Sequence, residues 1–294
     1  MKRIVPHLWF DKEAKQAAAF YVSLFSNAKI NRSDIIENTP SGDVDIVEFE
    51  LEGQPFSAIS AGPDFKLNPS ISLIVSSGST DEINALWAAL LEGGTALMPL
   101  DAYLFSRRFG WVQDRFGLSW QLILEDGEGS PLTISPYLLF AGPASGKAGE
   151  AVSFYTDVFR NSGLTQTDTG VAPVVNPAAS EAGLRSFRLL GQTFFAMDHG
   201  FDADFTFNEA FSLIVYCDTQ EQIDYFWTKL SSVPEAEACG WLKDPFGVSW
   251  QIVPRRMSEM METGTPEQVA RLTQAFLQMK KLDIAAMETA FLGS

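Results

Sequence analysis

The chain carries one pattern twice, and this repeat constrains its fold more than any other feature. Asp114, Phe116, Gly117, Ser119, Trp120 and Gln121 return as Asp244, Phe246, Gly247, Ser249, Trp250 and Gln251, preceded by Gly110-Trp111 and Gly240-Trp241. Asn68 and the run 72–75 return as Asn208 and 212–215, and Phe20, Tyr21 and Phe25 return as Phe154, Tyr155 and Phe159. Partners stand 154 − 20 = 134 residues apart early, 212 − 72 = 140 in the middle and 251 − 121 = 130 late. An order that holds while the offset drifts marks two duplicated domains with different loops, not a solenoid of short repeats. Two copies of one fold pair about a pseudo-twofold axis as homodimer subunits do, so a site between them draws residues from both.

Within a copy the periodicity restarts. Ile4–Phe10 reads as an apolar, aromatic strand, and Ala14, Ala17, Ala18, Tyr21 and Phe25 fall at helical spacing across residues 12–25. Residues 29–36 and 44–51 read as strands, with Gly53-Gln54 turning the second into 56–60. Residues 71–75 then open a new strand. A helix bearing Ile83, Leu86, Trp87, Leu90 and Leu91 follows, capped by Ser79 or Thr80 and ended by Gly93-Gly94. Strands at 108–113 and 119–124 complete the copy. Each copy thus holds two βαβββ units, an α+β architecture of curved, barrel-like mixed sheets. The expected domains are 1–126 and 131–254, joined by the polar linker 127–130, with 171–183 a loop-like insertion. Residues 255–294 form a helical tail. There Thr265 caps, Pro266 takes the first helical position, and Val269, Leu272, Phe276, Met279 and Leu282 predict one long helix with an apolar face.

Charge and cysteines bound the partners. A net charge of −16 without any Lys/Arg cluster argues against nucleic acid and anionic membranes, and reads as solubility. Cys217 and Cys239 lack metal-type spacing and suit a reducing compartment, so no structural disulfide is expected. Met1-Lys2-Arg3 leads into Asp11, Lys12 and Glu13 rather than an apolar signal segment, and no run reaches membrane-span length. The expectation is a cytoplasmic protein.

Several pieces of the chain resemble one known family. They are His7-Leu8-Trp9-Phe10, Phe20-Tyr21 to Phe25, residues 68–75, the closing run 244–254 and the tail segment 279–287. With paired βαβββ units and a closing Asp-x-x-Gly-x-x-x-Gln, they resemble the vicinal oxygen chelate superfamily of glyoxalases, extradiol dioxygenases and bleomycin resistance proteins. Within it, the resemblance is to the PhnB-like group, which carries the label 3-demethylubiquinone-9 3-methyltransferase domain. It covers nearly the whole chain and bears on fold more than on function, because this superfold hosts many chemistries.

The resemblance implies where a site would lie. In metal-dependent relatives, ligands come from the first strand, the strand opening the second unit and the last strand, usually as His or Gln, His, and Glu. Here those places hold His7 and Tyr137, then Ser70 and Ala210 (Ser72 and Ser212 if the register is shifted by two), then Gln121 and Gln251. If strands cross between copies, His7 joins Ala210 and Gln251, while Tyr137 joins Ser70 and Gln121. One imidazole with neutral amides is a poor cage for a divalent ion. The expectation is therefore a binder of a small, largely apolar or aromatic molecule, through His7, Trp9, Ser70, Gln121, Tyr137 and Gln251. No cofactor is expected, and any metal would sit at His7. The internal pseudo-dimer leaves a further homodimer open. A divalent-metal glyoxalase or dioxygenase is the alternative. A methyltransferase is weaker still, since the glycine-rich turn that follows the first strand of an S-adenosylmethionine-binding sheet is missing. Trp111, Trp120, Trp241 and Trp250 read as core, Asp114 and Asp244 as turn caps, and His199 as a solvated loop residue.

Overall fold

The structure, a computed structural model, describes residues 4–39, 42–127, 129–164, 169–172, 183–200 and 203–293. The first copy runs β1 (Ile4–Phe10), α1 (Ala14–Leu24), β2 (Ala28–Thr39), β3 (Gly42–Leu51) and β4 (Gln54–Ser60). It continues with β5 (Ile71–Ser77), α2 (Thr80–Leu91), β6 (Thr95–Tyr103), β7 (Ser106–Gln113) and β8 (Ser119–Leu124). The second copy runs β9 (Thr133–Phe140), α3 (Ala148–Arg160), β10 (Gly170–Ala172), β11 (Arg185–Leu189) and β12 (Gln192–Asp198). Its second unit departs from the expected βαβββ pattern by one strand: β13 (Phe211–Cys217), α4 (Gln220–Leu230), β14 (Trp241–Lys243) and β15 (Ser249–Pro254). The tail holds α5 (Arg255–Thr263), α6 (Pro266–Phe276) and α7 (Ile284–Leu292).

Local chemistry accounts for these elements. In β3, Val47, Phe49 and Leu51 are buried while Glu48 and Glu50 on the other face are half-buried, the alternation of a one-sided strand. Helix α1 buries Ala14, Ala17, Ala18 and Tyr21, one stripe of small residues and a ring. Of the two cap candidates for α2, Ser79 holds the place, its hydroxyl accepting from the Glu82 N–H. Strand β6 escapes a reading by alternation because it is an edge strand, largely exposed, with Pro99 inside it. Most of the 171–183 insertion lies outside the described residues, and Gly170–Ala172 at its start form β10.

The strands form two open mixed sheets, and neither belongs to one copy. Among the described residues, a seven-stranded sheet has the order β14-β15-β13-β1-β4-β3-β2, and an eight-stranded sheet the order β10-β11-β12-β9-β5-β8-β7-β6. The first unit of copy one joins the second unit of copy two, and the reverse holds in the other sheet. The seams are antiparallel: Ile4 to Leu8 run against Val215 to Phe211, and Ile71 to Ser76 against Leu138 to Thr133. Leu8, Phe10, Leu213, Val215 and Trp250 point into a continuous core under the helices. His7 and Trp9 alternate with Leu8, so they lie on the opposite, concave face.

The tail departs from the single long helix. Helix α6 ends at Phe276, and after a bend α7 begins at Ile284. The cause is tertiary. Cys239 and Gly240 donate backbone hydrogen bonds to the carbonyls of Met279 and Lys280, so the bend runs beside β14, where the first copy has β6. Met260, Leu272, Phe276, Leu282 and Met287 form a small core of the tail's own.

Candidate functional site

The motif that both copies share turns out to be scaffold. Asp244 accepts from the N–H groups of Phe246 (2.8 Å) and Val248 (3.0 Å), from Trp250 Nε1 (2.8 Å) and from the Tyr155 hydroxyl (2.7 Å). Asp114 does the same for Phe116, Leu118 and Trp120, with Tyr21 beside it. Each carboxylate caps its Phe-Gly turn and fixes the buried indole. Burial pushes Asp244 up to about 6 even against those four hydrogen bonds, and Asp114 is raised for the same reason. Trp120 and Trp250 are fully buried core residues.

The concave faces carry the difference between the copies. Across the seven-stranded sheet, residues in register form a polar row: Arg32, Glu48, Ser57, His7, Ser212, Ser249 and Lys243. The equivalent row of the eight-stranded sheet reads Ala172, Ser186, Phe195, Tyr137, Ser72, Ser119 and Gln113. Only the two serine positions match, Ser212 with Ser72 and Ser249 with Ser119; the others differ. Around Tyr137 the second face closes into an apolar cluster with Ile74, Leu139, Phe195, Met197 and Phe205. The Tyr137 hydroxyl is directed at Met197 Sδ (3.2 Å), and burial raises its pKa.

His7 is the chemical centre of the polar row. It is 4% exposed, and Nδ1 shares a hydrogen bond with Ser57 Oγ at 3.1 Å. Nε2 is buried without a partner. Burial lowers the imidazole to about 3, so it is neutral at any physiological pH. Trp241 stands edge-on to it at 5.6 Å, and Trp9 packs on Trp241 at 6.2 Å, its own Nε1 donating to the Gly62 carbonyl. Gln251 Nε2 donates to Ser212 Oγ (2.9 Å), directly opposite His7, as Gln121 does to Ser72 Oγ (2.8 Å) opposite Tyr137.

The expected residues are thus brought together in two sets, with Ser212 and Ser72 at the middle position. Ala210 and Ser70 lie two residues earlier and use their carbonyls to accept from the Trp9 and Leu139 N–H groups. Sequence reasoning missed Ser57 and Trp241 as members of the His7 set. Ser57 was readable only from the β1–β4 register, and Trp241 shared its Gly-Trp pattern with Trp111. A cleft of about 360 Å³, walled by Trp9, Phe65, Lys66, Leu67 and Phe116, opens at the end of β1 and touches this set only through Trp9.

A divalent metal does not fit these donors. His7 Nε2 is free, but the groups around it are neutral, and most are engaged: Gln251 Nε2 with Ser212 Oγ, and Ser57 Oγ with His7 Nδ1. Among the described residues, no group of three or more His, Cys, Asp or Glu side chains could hold a metal ion. Nor is any helix among them long and apolar enough to cross a membrane.

Comparison with known proteins agrees with this architecture. The profile of the 3-demethylubiquinone-9 3-methyltransferase family matches residues 2–123 and again residues 132–253. No curated protein matches the chain. Among solved structures, a PhnB protein from Bacillus cereus, described as a 3-demethylubiquinone-9 3-methyltransferase, is 36% identical. The match covers 41% of this chain and 98% of that one, with a TM-score of 0.39. Glyoxalase I from Zea mays is 11% identical and matches 89% of this chain and 96% of its own, with a TM-score of 0.54. A Bacillus subtilis protein described as a dioxygenase is 12% identical over 86% of this chain and 85% of its own, at 0.48. With the family profile met twice and the two mixed sheets shared between the copies, the chain belongs to the 3-demethylubiquinone-9 3-methyltransferase family of PhnB-like proteins, as a tandem duplicate with the vicinal oxygen chelate fold.

Proposed function

We propose that this protein binds a small, largely apolar or aromatic molecule on the concave face of the seven-stranded sheet, without the superfamily's metal. The observation that carries the reading is His7 Nε2: a neutral, buried imidazole edge with no protein partner, framed by Trp9 and Trp241. A buried polar atom left unpaired is costly, and a ligand group that pairs with it recovers that cost. Two indoles beside one polar anchor match the usual make-up of small-molecule sites, mostly apolar with few polar points. The face is built from both copies, because β1 comes from the first and β13 to β15 from the second. The family's methyltransferase name adds no step here, since β1 passes to α1 through Asp11-Lys12-Glu13, with no glycine turn to cradle a nucleotide.

The test is a thermal-shift screen of aromatic and aliphatic alcohols, phenols and quinones, followed by calorimetry on wild type and His7→Phe. Ligands that bind the folded state raise its melting temperature by mass action. The expected result is saturable binding at one site per chain that His7→Phe weakens, with no metal retained by elemental analysis after purification without chelator. One tightly held divalent ion per chain, with catalysis returning on reconstitution, overturns the reading.

A further inference from the structure

Two buried side-chain atoms of the polar row lack hydrogen-bond partners, His7 Nε2 and Ser249 Oγ. The ligand reading accounts for the first. It leaves the second unexplained, and the other copy shows what a serine at that position does. There Ser119 Oγ accepts from Trp111 Nε1 at 2.6 Å. The registers around the two indoles are the same: Trp111 opposes Gln121 beside the Gln113–Ser119 pair, and Trp241 opposes Gln251 beside the Lys243–Ser249 pair. The same diagonal bond is therefore within reach of Trp241. Its indole instead lies edge-on against His7 and Trp9.

The surroundings of the two indoles differ. Strand β6 places Met98 opposite Trp111. Opposite Trp241 stands only Ala238, paired with it in a single antiparallel bridge across the Cys239-Gly240 turn, whose residues are both at positive φ (53° and 89°) and bonded to the tail at Met279 and Lys280. The backbone of Trp241 is held, while the residue opposite it carries a methyl group where Met98 sets a long side chain opposite Trp111. An indole N–H to hydroxyl bond and an edge-to-face contact on an imidazole are interactions of the same order, so neither position dominates by a wide margin.

From these observations we infer that Trp241 gates the His7 site by moving between two seats. In one it covers the imidazole edge. In the other its Nε1 donates to Ser249 Oγ, as Trp111 does to Ser119, and His7 Nε2 is open to a flat ligand. The role of the gate rests on the reading of this face as a binding face. The movement itself belongs to the empty chain and is tested without ligand, so the two fail separately.

The test follows acylation of His7 by diethylpyrocarbonate at pH 7.5 on the full chain, by peptide mass spectrometry, with His199 as internal reference. A minor open state is populated at up to about 10%, so Trp241→Ala should speed His7 acylation by about tenfold or more. Ser249→Ala and Trp241→Phe remove the bond of the open seat while keeping a ring over His7, and both should slow it below the wild-type rate. Ser119→Ala should leave it unchanged. In parallel, 5-fluorotryptophan labelling should give Trp241 a minor fluorine resonance that disappears in Ser249→Ala. If Ser249→Ala reacts as fast as wild type or faster, or Trp241→Ala stays as slow, the gate is disproved.

Discussion

His7 links burial to a measurable pH dependence. Its imidazole is held at about 3 against an ordinary 6.5 by desolvation. Below pH 6.5 the unfolded chain takes up a proton that the folded chain refuses. The residue's contribution is therefore intact above pH 6.5 and is lost as pH falls towards 3. At about 1.4 kcal/mol per unit, the loss amounts to about 2 kcal/mol by pH 5. Urea unfolding of wild type and His7→Gln at pH 7.5 and 5.0 should show the variant lacking this slope. Asp244 works in the opposite sense: its raised value favours the folded state below about 3.8, an advantage lost as pH rises through about 6. Both proteins share that group, so it cancels in the difference. Parallel slopes for the two proteins would mean that His7 titrates freely. The scaffold residues follow a different rule. Trp250 is fully buried and bonded to Asp244, so Trp250→Ala should cost about 3–5 kcal/mol in the same assay, as large core truncations do. A change within experimental error would show that the motif does not brace the core.

Between the elements, the repeated asparagines act as straps. Asn68 Nδ2 donates to the Thr206 carbonyl (3.0 Å) while its Oδ1 accepts from the Ser70 N–H; Asn208 does the same towards Lys66 (2.9 Å) and Ala210. The loop before β5 and the loop before β13 are thereby tied to each other, one bond in each direction. Asn68→Ala and Asn208→Ala should each cost about 1–3 kcal/mol. Because the straps share the same two loops, the double variant should lose less than the sum, which a double-mutant cycle measures. Strict additivity would make them independent turn caps. The asparagines were legible as a repeat, and the strands other than edge strand β6, with the cap positions, were largely legible from alternation and side-chain chemistry. Two further features were not. The spacing of Val269 through Leu282 continues a helical stripe across the bend, and only the demand of the β14 edge for the Met279 and Lys280 carbonyls breaks it. Likewise Gly110-Trp111 and Gly240-Trp241 are identical in sequence. The strand beside one and the tail beside the other set their different seats.

At the level of the whole molecule, the crossing of units makes the chain an internal dimer rather than two beads on a linker. Strand β1 finds its antiparallel neighbour in β13, 212 − 7 = 205 residues on at the His7–Ser212 pair, and β5 finds its own in β9 across the linker. A single copy cut free would leave both seam strands as bare edges, each flanked by apolar faces that the partner unit now covers, and such edges seek a strand from another chain. Expressed separately, residues 1–127 and 129–294 should therefore fail to persist as folded monomers. Each should self-associate or aggregate, because the equivalent units of a second copy offer the same edges. Mixed during refolding, the two should give a one-to-one complex close to the 32.4 kDa of the intact chain by light scattering, with the far-ultraviolet spectrum of the parent. The site belongs to that complex as well, since His7 comes from one fragment and Trp241, Ser212 and Gln251 come from the other. His7 should accordingly be slow to acylate in the complex and fast in the first fragment alone. Two fragments that remain monomeric, folded and indifferent to each other would mean that the seams contribute little, and that the copies fold as the self-contained domains their boundaries suggest.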